Sequence, residues 1–473
     1  MLWGIVFGQS LQHSVTRPER RLKLQKFRYT SNPLQAFQAI SAHSDYCYIL
    51  ESAEGPRKLA QYSFIGFSPS RILKVKDGNY SEQTPEGGKN CAPTHTDDPF
   101  DSIRKNLADN YTSYRGFRFV GGLVGYVSYD AVRYIESLPS NAPDDLGLPD
   151  LEFGVFDDGI VFDHLNDQAY YYWYSDDRSR YIEQIIGAAV EPPKLETGKV
   201  RVNLTQQDFT SMVNKAKNYV KAGDIFQVVL SKRFELSFDG DLIHFYNKLR
   251  KINPSPYMYF LKMNEKAIIG SSPEMLGRVD GRSAETFPIA GTRPVRTNAN
   301  ANRRLASALL KDPKERAEHV MLVDLARNDL GKVCQFGTIS VPDFMVVQKY
   351  SHVQHIVSRV TGQLRPDSSS VDAFKSIFPA GTVSGAPKKR AMEIIDELEP
   401  TRRGPYAGAV GYFSYNGNAD FAITIRTLVA DQNRAYIQAG AGLVADSKPR
   451  QEWFETEHKA RALFRALNIR KSD

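Results

Sequence analysis

The chain has 473 residues, 41% of them apolar and 24% charged, with a formal net charge of +7. That length exceeds the size at which one core keeps growing, so two domains or one large composite are expected. The apolar and charged fractions are ordinary for a soluble globular protein, and no apolar run approaches the ~20 residues that a membrane span needs.

The apolar start Met1 to Gly8 is too short to span and lacks the basic leader and small-residue cleavage site of a secretory signal. Cys47, Cys91 and Cys334 are scattered without metal-ligand spacing, which suits a reducing compartment and a cytoplasmic protein. The one dense basic cluster, Arg17 to Lys26, reads as a solvated surface. A nucleic-acid patch would call for aromatic interleaving or a recognisable module. A basic balance equally suits an enzyme for small anions.

In chain order, Tyr46 to Glu51, Ser63 to Phe67, Gly121 to Ser128 and Ala169 to Tyr174 read as strands rich in aromatic and β-branched residues. Asn79 to Asp98 reads as an exposed loop, and Glu191 to Lys199, with its two prolines, as a linker. The spacing of Phe209, Met212, Val213, Ala216 and Val220 predicts a helix over Gln206 to Ala222, ended by Gly223. Ile225 to Leu230 then reads as a buried strand with Gln227 as its odd polar residue. A helix over Asp241 to Ile252 stops at Asn253-Pro254-Ser255-Pro256. Strands follow at Tyr257 to Met263 and Ala267 to Gly270, before the turn Ser271 to Glu274.

Phe287 to Pro294 is a turn, and Asp312 opens a helix as its N-cap, with Pro313 first and Glu315 completing a capping box. Val320, Met321, Leu322, Val323 and Leu325 give that helix a buried side. Val346 to Thr361 alternates as one strand, with Val353, His355, Val357 and Arg359 on one face. Pro379 to Pro387 is a Gly-rich loop opening a helix to about Glu399, an anion seat whose spacing does not fit a P-loop. Ala407 to Tyr415 and Phe421 to Val429 form a hairpin across Asn416-Gly417. Ala435 to Val444 is a strand stripped of side chains at Gly440 and Gly442, and Pro449 to Leu467 is a helix. Strands mingled with helices, with antiparallel pairing at the end, argue for α+β.

Two helices far apart in sequence each carry a glutamate pair three residues apart, Glu315 with Glu318 and Glu452 with Glu455. The bland account is surface salt bridging with Arg316, His319 and Lys459. The sharper one is a magnesium seat, because Mg²⁺ takes one or two carboxylates and completes its shell with waters and ligand oxygens. Capping leaves Glu318 unexplained. His355 between valines, Gln227 in an apolar strand and Glu274 after Ser-Ser-Pro each favour a structural role when weighed singly.

Taken together, FPIAGTRPVR, ERAEHVMLVDLARNDLGKV, YSHVQHIVSRVTG, FPAGTVSGAPKKRAMEIIDELEP, RRGPYAGAVGYFSYNGNADFAITIRT and IQAGAGLVADS, in this order, resemble the large subunits of anthranilate synthases, within the chorismate-utilising enzymes. The resemblance is dense over about Thr205 to Leu467 and thinner before it. It implies large, mostly antiparallel sheets with helices packed outside, a composite two-layer sandwich. It also implies an N-terminal regulatory and partner-contact part over residues 1–190, a linker over 191–204, and a chorismate-binding catalytic part over 205–468.

Carried over by position, the resemblance makes Glu318 and Glu455 direct Mg²⁺ ligands, with Glu315 and Glu452 beside them. Glu274 is similar to the family's general acid, and His355 to the histidine of the step that releases pyruvate. Tyr406 and Arg426 look like contacts to the enolpyruvyl carboxylate. The backbone of the Gly440-Ala441-Gly442 stretch holds the ring carboxylate, and Ala290, Gly291, Thr292 and Lys459 complete the pocket. Gln227 stands where water-activating relatives have a lysine base, and Ala290 where 4-amino-4-deoxychorismate-forming relatives have a lysine nucleophile. Both positions point to ammonia attack and to anthranilate.

No cysteine sits in a glutaminase elbow, so the resemblance implies a separate glutamine amidotransferase subunit, in a heterotetramer of two large and two small chains. Leu50-Glu51-Ser52, with Asn253, Pro254, Ser255, Tyr257 and Met258, resembles a tryptophan-sensing feedback site. Two alternatives stand beside this: a 4-amino-4-deoxychorismate synthase component, and a non-catalytic amino-acid-sensing subunit of the same fold.

Overall fold

The computed structural model describes residues 21–27, 32–52, 61–84, 92–187, 190–350 and 353–469. The apolar start at Met1 to Gly8, the Arg17 to Arg20 part of the basic cluster, the middle of the loop expected at Asn79 to Asp98, Cys91 and residues 351–352 lie outside the described residues. No described helix is long and apolar enough to cross a membrane.

Two large antiparallel sheets, of 13 and 12 strands, carry the fold. Both take strands from either side of the Glu191 to Lys199 stretch. In the first sheet Tyr46–Glu51 pairs with Tyr257–Met263, setting Glu51 opposite Met258. The path continues through Lys266–Ser272, Thr427–Asp431 and Arg434–Leu443 to Gln227–Asp239. In the second, Met275–Asp280 pairs with Ala419–Ile423, then comes Ala409–Ser414 and then Gly122–Val127.

The alternation of the first sheet explains why its strands read as unbroken apolar runs. Tyr46 and Tyr48 pack into the larger core cluster, while Cys47 and Ile49 pack into a second cluster that also holds Tyr246, Phe260 and Phe464. A strand buried on both faces shows no polar side. Between the sheets, Tyr257 Oη donates to Asp420 at 2.9 Å, a carboxylate held within the second sheet by its cross-strand neighbour Arg278 through Nε at 2.8 Å. Lys266 likewise pairs with the fully buried Glu152.

The helix at Gln206–Ala222 has its expected bounds, with a capping box between Thr205 and Asp208 and Gly223 in the left-handed region. Elsewhere the sequence reading needs correction. Asn79–Gln83 is a strand, because it pairs with Arg71–Lys76 across a tight turn at Asp77-Gly78. The strand begun at Gln227 runs on to Asp239, held along its length by Arg434–Leu443. The helix expected from Asp241 starts at Ile243. The stretch read as a linker lies against the sheet edge, where Glu196–Thr197 pairs with Phe238 and Asp239.

The single strand expected over Val346 to Thr361 is two, Ser340–Lys349 and Val353–Gln363, paired antiparallel. The strand expected over Phe421 to Val429 also divides. Ala419–Ile423 lies in the second sheet and Thr427–Asp431 in the first, and the chain crosses between them at Arg426, φ 50°. Pro387 is the N-cap of the Lys388–Leu398 helix rather than its first residue, and Gly385–Ala386 adds a short strand beside Gln227.

Asp312 caps the Pro313–Gly331 helix as expected, accepting from the amides of Lys314 at 3.1 Å and Glu315 at 3.4 Å. Glu315 does not complete a capping box, because its carboxylate takes Arg293 instead. Within that helix Val320 is exposed, while Leu322 and Val323 are buried. Replacing Asp312 with Ala removes the cap and a partner of Arg293. A loss of about 1 kcal/mol is expected in urea unfolding. An unchanged midpoint would show that the ion pairs alone hold this end.

Candidate active site

The site forms where two crossings between the sheets lie side by side. Pro273 and Glu274 carry the chain from Lys266–Ser272 to Met275–Asp280, and Thr424 to Arg426 carry it back. The crossings are stitched by Ile423 N donating to the Glu274 carbonyl at 3.1 Å and Ser271 N to the Arg426 carbonyl at 3.1 Å. Side chains from both therefore enter one cavity of about 440 Å³. A volume of that order suits a small-molecule ligand.

The floor is the pair of strands that sets Val229 opposite Gly442 and Ser231 opposite Gly440. A Cβ at Gly440 would lie 2.7 Å from Tyr406 Oη, and one at Gly442 2.9 Å from Gln227 Nε2. Absent side chains are what let these partners close on the strand. Gly440, Gly442, Tyr406 and Gln227 all line the cavity. Ala441, expected as a binding residue, does not: alternation turns it to the opposite face, where it is fully buried.

Burial pushes the Glu274 carboxyl up to about 7, against the opposing pull of a Thr382 hydroxyl and of the charges on Arg426 and Lys459. Near neutral pH it is therefore available as an acid. Burial lowers the affinity of Arg426 for its proton, and among the described residues no ion pair engages its guanidinium. An uncommitted buried cation at the wall of a cavity is a seat for an anionic ligand.

His355 Nδ1 lies 2.7 Å from the Gly291 carbonyl, which can only accept, so Nδ1 carries the proton and Nε2 is left as an acceptor. Thr292 Oγ1 is 3.1 Å from the same nitrogen. Burial lowers the ring's pKa, the Gly291 contact opposes this, and Arg426 adds to the lowering. Ala290, Gly291 and Thr292 reach the cavity through a bulge between Ala290 and Arg293, with Gly291 at φ 65°.

Three of the four expected acidic ligands face the same space: Glu315 and Glu318 from the Pro313–Gly331 helix, and Glu455 from the Pro449–Ala466 helix. Burial first, then the charges of Glu315 and Glu455, raise the Glu318 pKa. Lys314 and the Gln227 amide, 3.5 Å from Glu318, oppose that rise. Glu315 is ion-paired to Arg293 at 2.9 Å and Glu455 to Lys459 at 2.8 Å. Lys459 Nζ also donates to the Gly440 carbonyl at 2.8 Å.

Glu452 is buried outside the cavity lining, and burial raises its pKa too. Among the described residues no three carboxylates already stand as a ligating group. The chemistry still fits a hard divalent cation, because crowded carboxylate oxygens meet an open cavity and Gln227 Oε1 is buried without a partner.

The Gly-rich loop gives Thr382 and Val383 to the cavity, whereas Pro387 and Lys388 do not line it. Lys388 instead donates to Asp329 at 2.6 Å, so the anion seat expected at that helix start is not part of this site. Sequence reasoning missed Thr382, Gln438 and Arg293. Of these only Arg293, in the GTRP turn, carries a charge that could have marked it.

The expected amino-acid-sensing residues divide. Leu50, Glu51, Ser52, Tyr257 and Met258 line a separate cavity of about 60 Å³ between the sheets, with Arg118 and Asp420. The Glu51 carboxylate is taken by Arg250 at 2.8 Å and Tyr246 Oη at 2.7 Å. Asn253 and Ser255 hydrogen bond to Ser271, and with Pro254 they stand outside that lining.

A profile described as chorismate binding enzyme matches residues 81–465. The chain is 46% identical to the anthranilate synthase component 1 of Methanothermobacter marburgensis over 92% of this chain and 93% of that one. It is 40% identical to that of Acinetobacter calcoaceticus over 94% of each. Among solved structures, anthranilate synthase component I of Streptococcus pneumoniae superposes with a TM-score of 0.74 at 35% identity, covering 87% of this chain and 93% of that one. The menaquinone-specific isochorismate synthase of Escherichia coli, at 19% identity and TM-score 0.73 over 94% of each chain, shares the fold.

Because the folded protein holds Glu274 protonated up to about 7 against an ordinary 4.5, its contribution to stability is full below 4.5 and lost as pH rises through 7. Glu274→Gln should therefore gain about 3 kcal/mol at most over the native chain at pH 8, and little at pH 4. Equal unfolding midpoints at both pH values would show that the carboxyl is hydrated rather than held in apolar surroundings.

Proposed function

We propose, from the premise that this chain belongs to the chorismate-binding enzymes and within them to the anthranilate synthase component 1 proteins, that it converts chorismate and ammonia to anthranilate, pyruvate and water. The observation that carries this reading is Glu274, its carboxyl pushed up to about 7 by burial, facing across one cavity the carboxylates of two distant helices, with an amide at Gln227 and a methyl at Ala290.

The chain's own groups account for the chemistry. The ring's departing 4-hydroxyl takes the Glu274 proton and leaves as water while ammonia forms the bond to C2. Proton loss from the new ammonium gives the amino-cyclohexadiene. Neither Gln227 nor Ala290 can serve as the base or amine nucleophile that a lysine would supply there, so free ammonia is left as the attacking group. Loss of the ring proton and of pyruvate then gives the aromatic product, with the free Nε2 of His355 placed to assist this second step. Arg426 and Tyr406 are the seat of the enolpyruvyl carboxylate, and Lys459 with the Gly440 and Gly442 backbone that of the ring carboxylate.

Glu318 and Glu455 would hold Mg²⁺, with Glu315 and Glu452 beside them. The ion would supply Lewis-acid polarisation of the substrate's oxygens. The crowding that raises the Glu318 pKa supports this, because Glu315 and Glu455 both press their charge on it beside an open cavity.

The component 1 naming of the relatives supports a separate second component; we take that component to be a glutamine amidotransferase that supplies the ammonia, in a cytoplasmic assembly of two large and two small chains. Feedback by tryptophan is proposed for the inter-sheet cavity where Leu50, Glu51 and Ser52, from an N-terminal regulatory part over residues 1–190, meet Tyr257 and Met258 of the catalytic part.

The reading is tested by supplying purified chain with chorismate, MgCl₂ and an ammonium salt. Anthranilate fluorescence and pyruvate in equal amounts are expected. Release of isochorismate or 4-amino-4-deoxychorismate, or no turnover, would refute it. Glu318→Ala should abolish turnover with the fold intact, and wild-type activity in that variant would remove the metal assignment. His355→Ala should consume chorismate and accumulate the amino-cyclohexadiene, whereas unimpeded pyruvate release would make this histidine structural. Expressed per free ammonia, kcat/KM should fall above a pH of about 7 as Glu274 ionises. A profile flat to pH 9 would exclude it as the acid.

A further inference from the structure

Arg403 and Glu399, at the end of the Lys388–Leu398 helix, are an ion pair sunk behind the cavity, with only 2% and 5% of their surfaces exposed. Neither touches the cavity lining's open face, yet their hydrogen bonds converge on it. Arg403 Nη1 donates to the Val383 carbonyl at 2.7 Å and Nη2 to the Val229 carbonyl at 2.7 Å. Nε and Nη2 also grip Glu399 at 2.9 and 2.7 Å. Glu399 Oε1 accepts from Ser231 N at 2.7 Å and Ser231 Oγ at 2.9 Å, and Ser231 Oγ in turn accepts from Gln438 Nε2 at 2.8 Å. The guanidinium lies 5.6 Å from the centre of the Tyr406 ring.

Val229, Val383, Tyr406 and Gln438 all line the cavity, and they come from four separate segments of the chain. Val383 is the neighbour of Thr382, the hydroxyl beside Glu274. Val229 lies opposite Gly442 on the floor. A pair that only filled the core would be matched or bettered by apolar side chains of the same volume, because desolvating two charges offsets their attraction. What an apolar pair cannot do is hold two peptide carbonyls through one planar fork and, through the carboxylate that fork grips, the Ser231 amide and hydroxyl.

We propose that Glu399 and Arg403 are positioning residues for the reaction: they fix the wall that carries Thr382 beside Glu274 against the floor that carries Gly440 and Gly442. This rests on the reading given under the proposed function. If the native chain forms no anthranilate, that reading fails; if it does and the variants below behave as wild type, only the positioning role fails.

Arg403→Lys keeps the charge and loses the fork. The variant is first shown to be folded by circular dichroism and thermal melting, then assayed with chorismate, Mg²⁺ and ammonium across pH. Misplacement of catalytic groups by about 1 Å costs up to roughly 10²-fold, and a loss of that order in kcat/KM for chorismate is expected. The alkaline limb assigned to Glu274, which Arg426 and Lys459 also face, should move to lower pH, because water reaching the carboxyl relieves the burial that raises it most and outweighs the lost pull of the Thr382 hydroxyl.

Glu399→Gln, which retains an acceptor for Ser231, should show a smaller loss in the same direction, and it serves if Arg403→Lys does not fold. Two outcomes overturn the proposal. One is wild-type kcat/KM with an unmoved limb. The other is an activity loss that only matches the unfolded fraction, with the limb in place, as a purely structural pair would give.

Discussion

Repulsion between carboxylates is the constraint on which the rest of this site depends. Glu318 sits part-buried with Glu315 on its own helix and Glu455 on the terminal helix, and both push its proton affinity up. Such a cluster is costly unless cations answer it. Arg293 and Lys459 answer for Glu315 and Glu455, leaving Glu318 with a long amide contact from Gln227 and the charge of Lys314 on its own helix. The arrangement holds one carboxylate in reserve at the edge of a cavity that also contains the Arg426 guanidinium, which has no ion pair among the described residues. On the proposed function, a doubly anionic ring and a divalent ion entering together would neutralise both at once.

The fold makes this possible by passing the chain twice between its two sheets at one place. Glu274 and Arg426 are brought together because each stands on a crossing and the crossings are hydrogen bonded to one another. The sheets supply rigid walls, and the helices with Glu318 and Glu455 pack against different walls, so no single element defines the cavity. That is why the buried Glu399–Arg403 fork matters: it ties the Val383 carbonyl of the Gly-rich loop to the Val229 carbonyl of the floor, beyond the short Gly385–Ala386 pairing that also joins them.

Much of this was legible in the chain itself. The Asp312-Pro313 start of the first glutamate helix was fixed by cap chemistry, and the glycines of IQAGAG marked a floor that ligands approach. Other features were hidden for definite reasons. Apolar runs such as Phe421 to Val429 continue smoothly through the crossing, because both sheets bury both faces there, so periodicity gave no sign of Arg426's turn. Ala441 was grouped with its flanking glycines by motif, although strand alternation sends it to the other side. Glu315 was assigned to capping because cap spacing and ion-pair spacing coincide, and only the folded chain brings Arg293 to it. Arg403 stands beside Arg402 in a polar-looking stretch, with nothing local to say that one pairs at the surface with Asp77 and Ser140 and the other is sealed against Glu399.

The central claim is that carboxylates from two distant helices converge on one divalent ion beside the substrate. Crystals of the chain grown with Mn²⁺ and chorismate, without ammonia, test it by anomalous scattering. The account predicts a single strong peak between Glu318 and Glu455, in contact with a substrate carboxylate. A peak remote from both glutamates, or none at saturating Mn²⁺ with chorismate bound, would contradict it.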